Sequence, residues 1–260
     1  SFKEVLAMSY VMILVPAQTS SGNTTTLYSA LHKLNTPTEN IVTVEDPVEY
    51  ELFGINQVQT KAEIGFTFAS ALRQILRQDP DVVMVGEIRD EETADVAVKA
   101  ALTGHLVLST LHTNDAPSVF TRLTDMNLEP FLIQSSVALT SAQRLPRRAC
   151  PDCKEPINVP DEVLERVQYR SDTYDDTPNS VRGRGCPKCK DTGYKGRVAV
   201  IEAMLNYPEL ERLILSRASA TQIKEVAVEC GMRTLRQNAL AKAAKGITTI
   251  EEVLRITAAD

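Results

Sequence analysis

Three groups of residues in this chain have types and spacings that could do chemistry. The first lies in the run "PAQTSSGNTTTLYSAL", residues 16–31, which has the outline of a phosphate-binding loop. Such a loop reads G-x-x-x-x-G-K-S/T between a strand and a helix. It works because successive backbone N–H groups and a helix N-terminus surround a phosphate. Here Ala17 stands at the first glycine, Gly22 at the second, Asn23 at the lysine and Thr24 at the hydroxyl position. The backbone donors of Ser20, Ser21, Gly22, Asn23, Thr24 and Thr25 survive those changes, and the Thr24 hydroxyl suits Mg²⁺. Asn23 brings no positive charge to the β- and γ-phosphates, a loss that costs on the order of 3 kcal/mol or more at a transition state. Binding is therefore expected to suffer less than hydrolysis. For the loop taken alone, a tight Ser/Gly turn capping a helix is the alternative.

The second group is acidic. "DVVMVGEIRD" (81–90) has the form of a Walker B strand that delivers Glu87 at its carboxyl end, and "VEDPVEY" (44–50) delivers Glu45, Asp46 and Glu49 in the same way. Acidic residues in that position can hold Mg²⁺, directly or through water, and orient an attacking water. His105 and His112 bracket the strand "HLVLSTLH". Seven extended residues cover roughly 23 Å, so both cannot touch one phosphate. His112 is expected at the ligand edge, sensing the γ-phosphate, and His105 is expected to be structural or at an interface. Arg73, Arg77 and Arg89 could stabilise phosphate charge from a neighbouring subunit; an exposed helix-face arginine is the ordinary alternative for each.

The third group is Cys150-x-x-Cys153 with Cys186-x-x-Cys189. Two such knuckles place four thiolates where one tetrahedral Zn²⁺ can bind, with free or redox thiols as the alternative. Four protein ligands close the site, so no catalysis is assigned to it. The 32 residues between the knuckles exceed the usual ribbon spacing and are expected to fold as an excursion of their own. Cys230 falls in a helical pattern and reads as a core residue. An odd total of five cysteines fits a reducing compartment better than a disulfide framework.

These residues need elements to position them. "YVMILV", "NIVTVED", "DVVMVGE" and "GHLVLSTLH" are short β-branched runs separated by the helical stretches "TTTLYSALHKL", "TFASALRQILRQD", "EETADVAVKAALT" and "APSVFTRLTDM". That alternation predicts a largely parallel sheet with helices on both faces and ligands outside the strands' carboxyl ends. "EPFLIQSSVALTSAQRL" reads as a helix dotted with Ser and Thr. "GYKGRVAVIEAML" reads as a strand pair, and 208–257 reads as helices, with Ser219 and Thr248 as starts and Gly231 and Gly246 as stops. The expected division is a nucleotide-binding core at 1–145, a tetracysteine segment at 146–200 and a helical subdomain at 201–260.

Length and charge bound the rest. The 260 residues can bury a substantial core. The net charge of −6 argues against a protein that coats nucleic acid. The longest apolar run, around Val11–Ala17, is too short to cross a bilayer and has no cleavage pattern, which predicts a cytoplasmic chain with no transmembrane segment. The start at Ser1, just before the first core strand, suggests a fragment.

Taken together, the motifs resemble the type II secretion and type IV pilus-assembly ATPases. The matching stretches include "NIVTVEDPVEY", "GINQVQ", "GFTFASALRQILRQDPDVVMVGEIRD", "ETADVAVKAALTGHLVLSTLHTNDAPS", "CPDCKEP", "GCPKCKDTGYKGRVAVIE" and "GMRTLRQNALAKAAKGITTIEEVLR", in order along nearly the whole chain. The four cysteines belong to the secretion and pilus-extension branch, so a retraction motor is the poorer match. The resemblance implies a RecA-like P-loop core of three layers with a mainly parallel sheet, a zinc-binding insertion and a helical C-terminal subdomain. It also implies ATP, Mg²⁺ and Zn²⁺ as cofactors and a homo-hexameric motor. Such a motor is cytoplasmic, acts through an inner-membrane platform protein and is peripheral to that membrane through its partners. Glu49 and Glu87 match the family's acidic active-site residues, and His105 and His112 the histidines of its His box. The family's bridging arginines fall around Arg73 and Arg89. Where the family's loop reads G-P-T-G-S-G-K-T-T-T, this chain has A-Q-T-S-S-G-N-T-T-T. The expected function is a motor ATPase domain; the alternative is a nucleotide-binding or assembly-only subunit with impaired hydrolysis.

A zinc-ribbon nucleic-acid binder is the competing class, suggested by "RLPRR" and the basic residues of 182–197. The acidic total and the lack of aromatic interleaving oppose it. No salt-dependent gel shift with single-stranded DNA is expected, and a clear shift would revive that class.

Overall fold

The computed structural model describes residues 5–16, 22–169 and 180–257. Among them the strands are β1 (Met12–Pro16), β2 (Ile41–Glu45), β3 (Asn56–Gln59), β4 (Val82–Ile88), β5 (Leu106–Leu111), β6 (Val137–Arg144), β7 (Arg147–Ala149), β8 (Lys154–Pro156), β9 (Val181–Gly183), β10 (Tyr194–Arg197) and β11 (Val200–Leu205). The α-helices are α1 (Asn23–Leu34), α2 (Phe68–Ile75), α3 (Glu91–Leu102), α4 (Ser118–Asp125), α5 (Pro130–Ser136), α6 (Asp161–Arg166), α7 (Glu211–Leu215), α8 (Ala220–Glu229), α9 (Leu235–Ala244) and α10 (Ile250–Ile256).

Seven strands form one sheet in the order β11-β6-β1-β5-β4-β2-β3. The pairs β6-β1, β1-β5, β5-β4, β4-β2 and β2-β3 are all parallel. A parallel sheet must be covered on both faces, and the side chains divide accordingly. Met12, Leu14, Val42, Val44, Val83, Val85 and Val107 enter one apolar cluster. Ile13, Val15, Ile41, Val82, Met84, Leu106 and Leu108 enter the other. This is the period-two alternation of a strand, carried through four strands with both faces apolar. Leu27, Tyr28, Ala30 and Leu31 of α1 cover the second face; residues of α2, α3, α4, α7 and α8 cover the first. Burial of each large aliphatic side chain stabilises by about 1.5–3 kcal/mol.

The boundaries of the helices follow from side chains at their ends. Thr67 caps α2 in a reciprocal box with Ser70, and Asp90 caps α3 through the Thr93 N–H at 2.8 Å. Glu91 and Glu92 then place negative charge on the first turn of α3, where the helix dipole favours it. Ser219 caps α8 with Gln222 as its partner, and Gly231 and Gly246 follow α8 and α9 in left-handed conformation.

Several expectations are corrected. The stretch "EPFLIQSSVALTSAQRL" is a helix only to Ser136 and then becomes the buried strand β6. Ser135 and Ser136 bond back to the carbonyls of Phe131 and Leu132, each at 2.7 Å, which competes with helix continuation. Asn206 caps the last carbonyls, donating to Gln134 O at 2.7 Å and Val137 O at 2.9 Å. The open edge of β1 then supplies a partner for the next residues, pairing Met12 with Val137 and Leu14 with Thr140. β10 and β11 are strands but not a pair: β10 pairs with β7, while β11 joins the large sheet. The last helix is capped by Thr249 rather than Thr248. β3, a polar edge strand, was not foreseen.

By contacts the chain divides into two compact units. One unit is Ser1–Ala142 with Ala203–Met232, and the other is Gln143–Glu202 with Arg233–Asp260. The reason lies in Leu210, Ile214, Ile223, Ala227 and Met232, which complete the apolar face of the first unit's sheet.

The second unit has two short antiparallel pairs, β7-β10 and β8-β9, and the helices α6, α9 and α10. Its tightest polar node is Glu252 of α10, fully buried and bonded to the Arg147 N–H at 2.7 Å, Arg147 Nη2 at 2.6 Å and Arg255 Nη2 at 2.7 Å. The Arg147 guanidinium also lies 4.0 Å from the Tyr194 ring centroid. Burial pushes the Glu252 carboxyl up, but the hydrogen bonds from Arg255 and Arg147 outweigh it and bring it to about 2, against an ordinary 4.5. A carboxyl depressed on folding stabilises above its unfolded value and loses that contribution as pH falls through the folded one. Thermal melts should therefore show stability falling between about pH 4.5 and 2. Glu252→Gln should lower stability at pH 7 by ~2 kcal/mol and flatten the acid limb; the cost is moderated because both arginines are half-exposed.

Candidate functional site

β1, β5, β4 and β2 run parallel, so their carboxyl ends share one edge of the sheet. Pro16, Leu111 and Ile88 lie in register across β1, β5 and β4, which sets the start of α1, His112 and Glu87 along that edge.

The register of β4 against β5 slips between Val85 and Ile88, so β4 carries one extra residue there. Such a bulge bends a strand and re-aims a side chain. Ser109 and Thr110 donate their hydroxyls to the Val85 and Gly86 carbonyls, each at 2.7 Å, and so satisfy the displaced backbone. Gly86 has no side chain because a Cβ there would lie 3.2 Å from the Val44 carbonyl oxygen and 3.6 Å from the Phe68 ring.

Beside Gly86 the bulge presents Glu87. One carboxylate oxygen accepts from Arg89 Nη2, and the other meets His112 Nε2 at 3.0 Å. Arg89 also reaches toward Asp46, with Nη1 at 3.9 Å from Oδ2. Partial burial pushes the Glu87 carboxyl up, but the Arg89 and His112 hydrogen bonds outweigh it and hold it below the ordinary range. Arg89 and His112 are themselves exposed, so these pairs add little to stability and can be exchanged for another anion. The arrangement is an acid anchored on the scaffold with two exposed hydrogen-bonding side chains over it.

The other site residues separate. Glu45 does not reach the edge: it is buried, accepting from Thr43 Oγ1 at 2.5 Å and Gln57 Nε2 at 3.0 Å. Asp46 and Glu49 lie beyond it and are exposed. His105 sits at the opposite end of β5, with Nδ1 2.8 Å from the Ala100 carbonyl oxygen. Arg73 pairs with Glu92 of α3 at 2.7 Å, and Arg77 is exposed in the turn after α2.

Ser20 and Ser21 lie outside the described residues. Gly22 precedes α1 in left-handed conformation, φ 83°, and no side chain caps the helix. The uncapped first-turn N–H groups, with Thr24 and Thr25 exposed, suit an anion. Asn23 is buried, and its Nδ2 donates back to the Pro16 carbonyl at 3.1 Å. Its side chain thus ties the helix start to the end of β1. Two contributors were not singled out from sequence: Gly86 and Gln57. A Gly inside an apolar strand run was the available signal for the first; nothing local marks the second.

In the second unit the four sulfurs of Cys150, Cys153, Cys186 and Cys189 lie within 4.8 Å of one another. Cys150 to Cys186 and Cys153 to Cys189 are 3.9 Å, and Cys186 to Cys189 is 3.7 Å. Sulfurs at about 2.3 Å from a central tetrahedral Zn²⁺ would be about 3.8 Å apart, so the donors fit. The backbone N–H groups of Cys186 and Gly193 point at Cys189 Sγ, at 3.2 and 3.3 Å. Burial pushes the Cys189 thiol up, but these amides outweigh it and bring it to about 7.

A family model described as Type II/IV secretion system protein matches residues 1–255. The chain is 52% identical over 260 residues to the type IV pilus assembly ATPase PilB of Myxococcus xanthus (strain DK1622), all of this chain and 46% of that protein. It is 48% identical over 257 residues to the type II secretion system ATPase E of Vibrio cholerae serotype O1, 99% of this chain and 50% of that protein. The chain therefore spans about half the length of these relatives. Among solved structures, the pilus retraction motor PilT with bound ADP superposes with a TM-score of 0.72 at 26% identity, over 98% of this chain and 63% of that one.

Titration with Co²⁺ should give one ion per chain with a thiolate charge-transfer band, and Cys189→Ser should remove the tetrahedral signature. Binding of equal strength by that variant would show that the four sulfurs do not act together.

Proposed function

This chain belongs to the type II/IV secretion system protein family, and from that premise we propose that it is the nucleotide-binding domain of a motor ATPase for type IV pilus assembly or type II secretion. The observation that carries the reading is Glu87, held by Arg89 and His112 at the carboxyl edge of a parallel sheet beside an uncapped helix start. The N–H groups of residues 22–25 would hold phosphate and the Thr24 hydroxyl would meet Mg²⁺, whose role when bound is to neutralise phosphate charge. Arriving phosphate draws Arg89 and His112 onto its own oxygens. That frees the Glu87 carboxylate to orient water. Asp46 and Glu49 supply further carboxylates along that edge.

Asn23 favours the impaired form of this activity. Its amide is engaged with Pro16 O and carries no charge, so backbone binding persists while the transition state lacks the cation that a lysine at this position would supply. Zn²⁺ in the four-cysteine cluster is structural. It compensates for a segment whose strands β7, β8 and β9 have three residues each. A homo-hexamer acting on an inner-membrane platform protein from the cytoplasmic side belongs to the same proposal. Among the described residues no helix is long and apolar enough to cross a membrane.

Calorimetric titration of Mg·ATP into the chain and into Asn23→Lys, followed by turnover assays, tests the reading. Both should bind nucleotide, and Asn23→Lys should hydrolyse about a hundredfold faster. Absence of nucleotide binding by both proteins would sink the proposal, and equal turnover would remove Asn23 as the limiting residue.

A further inference from the structure

Glu45 is a charged-type side chain only 3% exposed, and among the described residues no Lys, Arg or His lies within salt-bridge reach of it. A buried acid without a cation is costly unless its lone pairs are filled by hydrogen bonds. Three neutral donors fill them: the Thr43 hydroxyl, the Gln57 amide and the phenol of Tyr28. Tyr28 comes from α1, the helix that opens at Gly22 and Asn23, and it too is buried.

The same phenol and the same amide also hold the segment that follows β2. The Glu49 N–H donates to the Tyr28 oxygen at 3.4 Å, and the Tyr28 and Tyr50 rings meet edge to face with centroids 4.7 Å apart. Gln57 donates to the Tyr50 carbonyl at 3.3 Å and accepts from the Leu52 N–H at 2.6 Å. Gln59, two residues along the same edge strand, accepts from the Val48 N–H at 3.3 Å. The acidic loop is therefore fastened by side chains from α1 and β3, and Glu45 ties those two fastenings to each other. Burial, reinforced by the bond to Glu45, pushes the Tyr28 phenol above its ordinary value, so it stays a donor at any working pH.

From this geometry we infer that Tyr28 and Gln57, locked by the buried Glu45, are positioning residues that set where Asp46 and Glu49 stand relative to the phosphate-binding start of α1. The inference rests on the nucleotide-site reading above for its catalytic consequence, and on the hydrogen bonds alone for its structural one. Neither residue touches substrate. Their effect passes through the acidic loop, and any shift of α1 on nucleotide binding is passed to that loop by the phenol.

Hydrogen–deuterium exchange of the chain, Tyr28→Phe and Gln57→Met tests the structural half. Tyr28→Phe keeps the ring in the core, and Gln57→Met leaves the buried helix face untouched, so at least one variant is expected to melt near the parent temperature. Peptides covering 46–53 should exchange at least tenfold faster in both, with α1 and β4 unchanged. A uniform rise through α1 and β2, or no change in 46–53, would overturn the inference by leaving only a packing role. In the Asn23→Lys background, both variants should lower kcat at least tenfold, with the ATP KM within twofold and the Mg²⁺ concentration at half-maximal rate raised. Unchanged kcat with a loosened loop would overturn the positioning role while leaving the nucleotide-site reading intact. No turnover by Asn23→Lys itself would instead count against that reading, and the exchange result would still decide the clasp.

Discussion

The structure depends on the parallel pairing of β1 with β5 on one side and β6 on the other. β1 is five residues long and buried throughout, so its backbone groups must be satisfied by neighbouring strands and its side chains by helices above and below. Met12 and Leu14 feed one apolar cluster while Ile13 and Val15 feed the other. With both layers anchored on this strand, its carboxyl end at Pro16 becomes a fixed origin. The start of α1, the end of β5 and the end of β4 are all placed by register from it. The edge is held in place because the strands cannot slide: a slip of one residue would turn every apolar side chain to the wrong face.

On this rigid edge the acidic groups are given different freedoms. Glu45 is immobilised by burial and by three neutral donors, and it acts on the loop beyond it. Glu87 is anchored through its backbone bulge but shares its carboxylate with two exposed side chains. Asp46 and Glu49 are exposed on a loop held by side chains from α1 and β3. One carboxylate locks the frame, one is poised on it, and two face solvent, which is a division of labour set by environment rather than by residue type.

The second unit solves a different problem. Its strand pairs are three to four residues long, too short to build a stable sheet alone. Two polar nodes compensate: the sulfur cluster at the knuckles and the buried Glu252 between Arg147 and Arg255. The ionic node is strong because breaking it strands a buried charge, not because the pair itself is worth much net energy.

Much of the first unit was legible in the sequence. β1, β2, β4 and β5 are buried on both faces and so read as unbroken β-branched runs. The helices between them begin at Thr67 and Asp90, whose side chains cap by local geometry. The clustering of the four cysteines was legible because each C-x-x-C spacing brings its two sulfurs together locally. β3 and β6 were not: "NQVQ" is a strand because β2 offers an edge, and "VALTSAQR" is one because β1 does. The partnership of β10 with β7 and the roles of Tyr28 and Gln57 escaped for the same cause. Residue types and local spacing therefore determined the strand–helix alternation, the acidic strand ends and the paired cysteines, since each depends on neighbours a few positions away. Only the tertiary structure decided which acid is buried and which is exposed, and where an ambiguous run pairs. Those outcomes depend on hydrogen-bond partners that the chain brings together from distant positions.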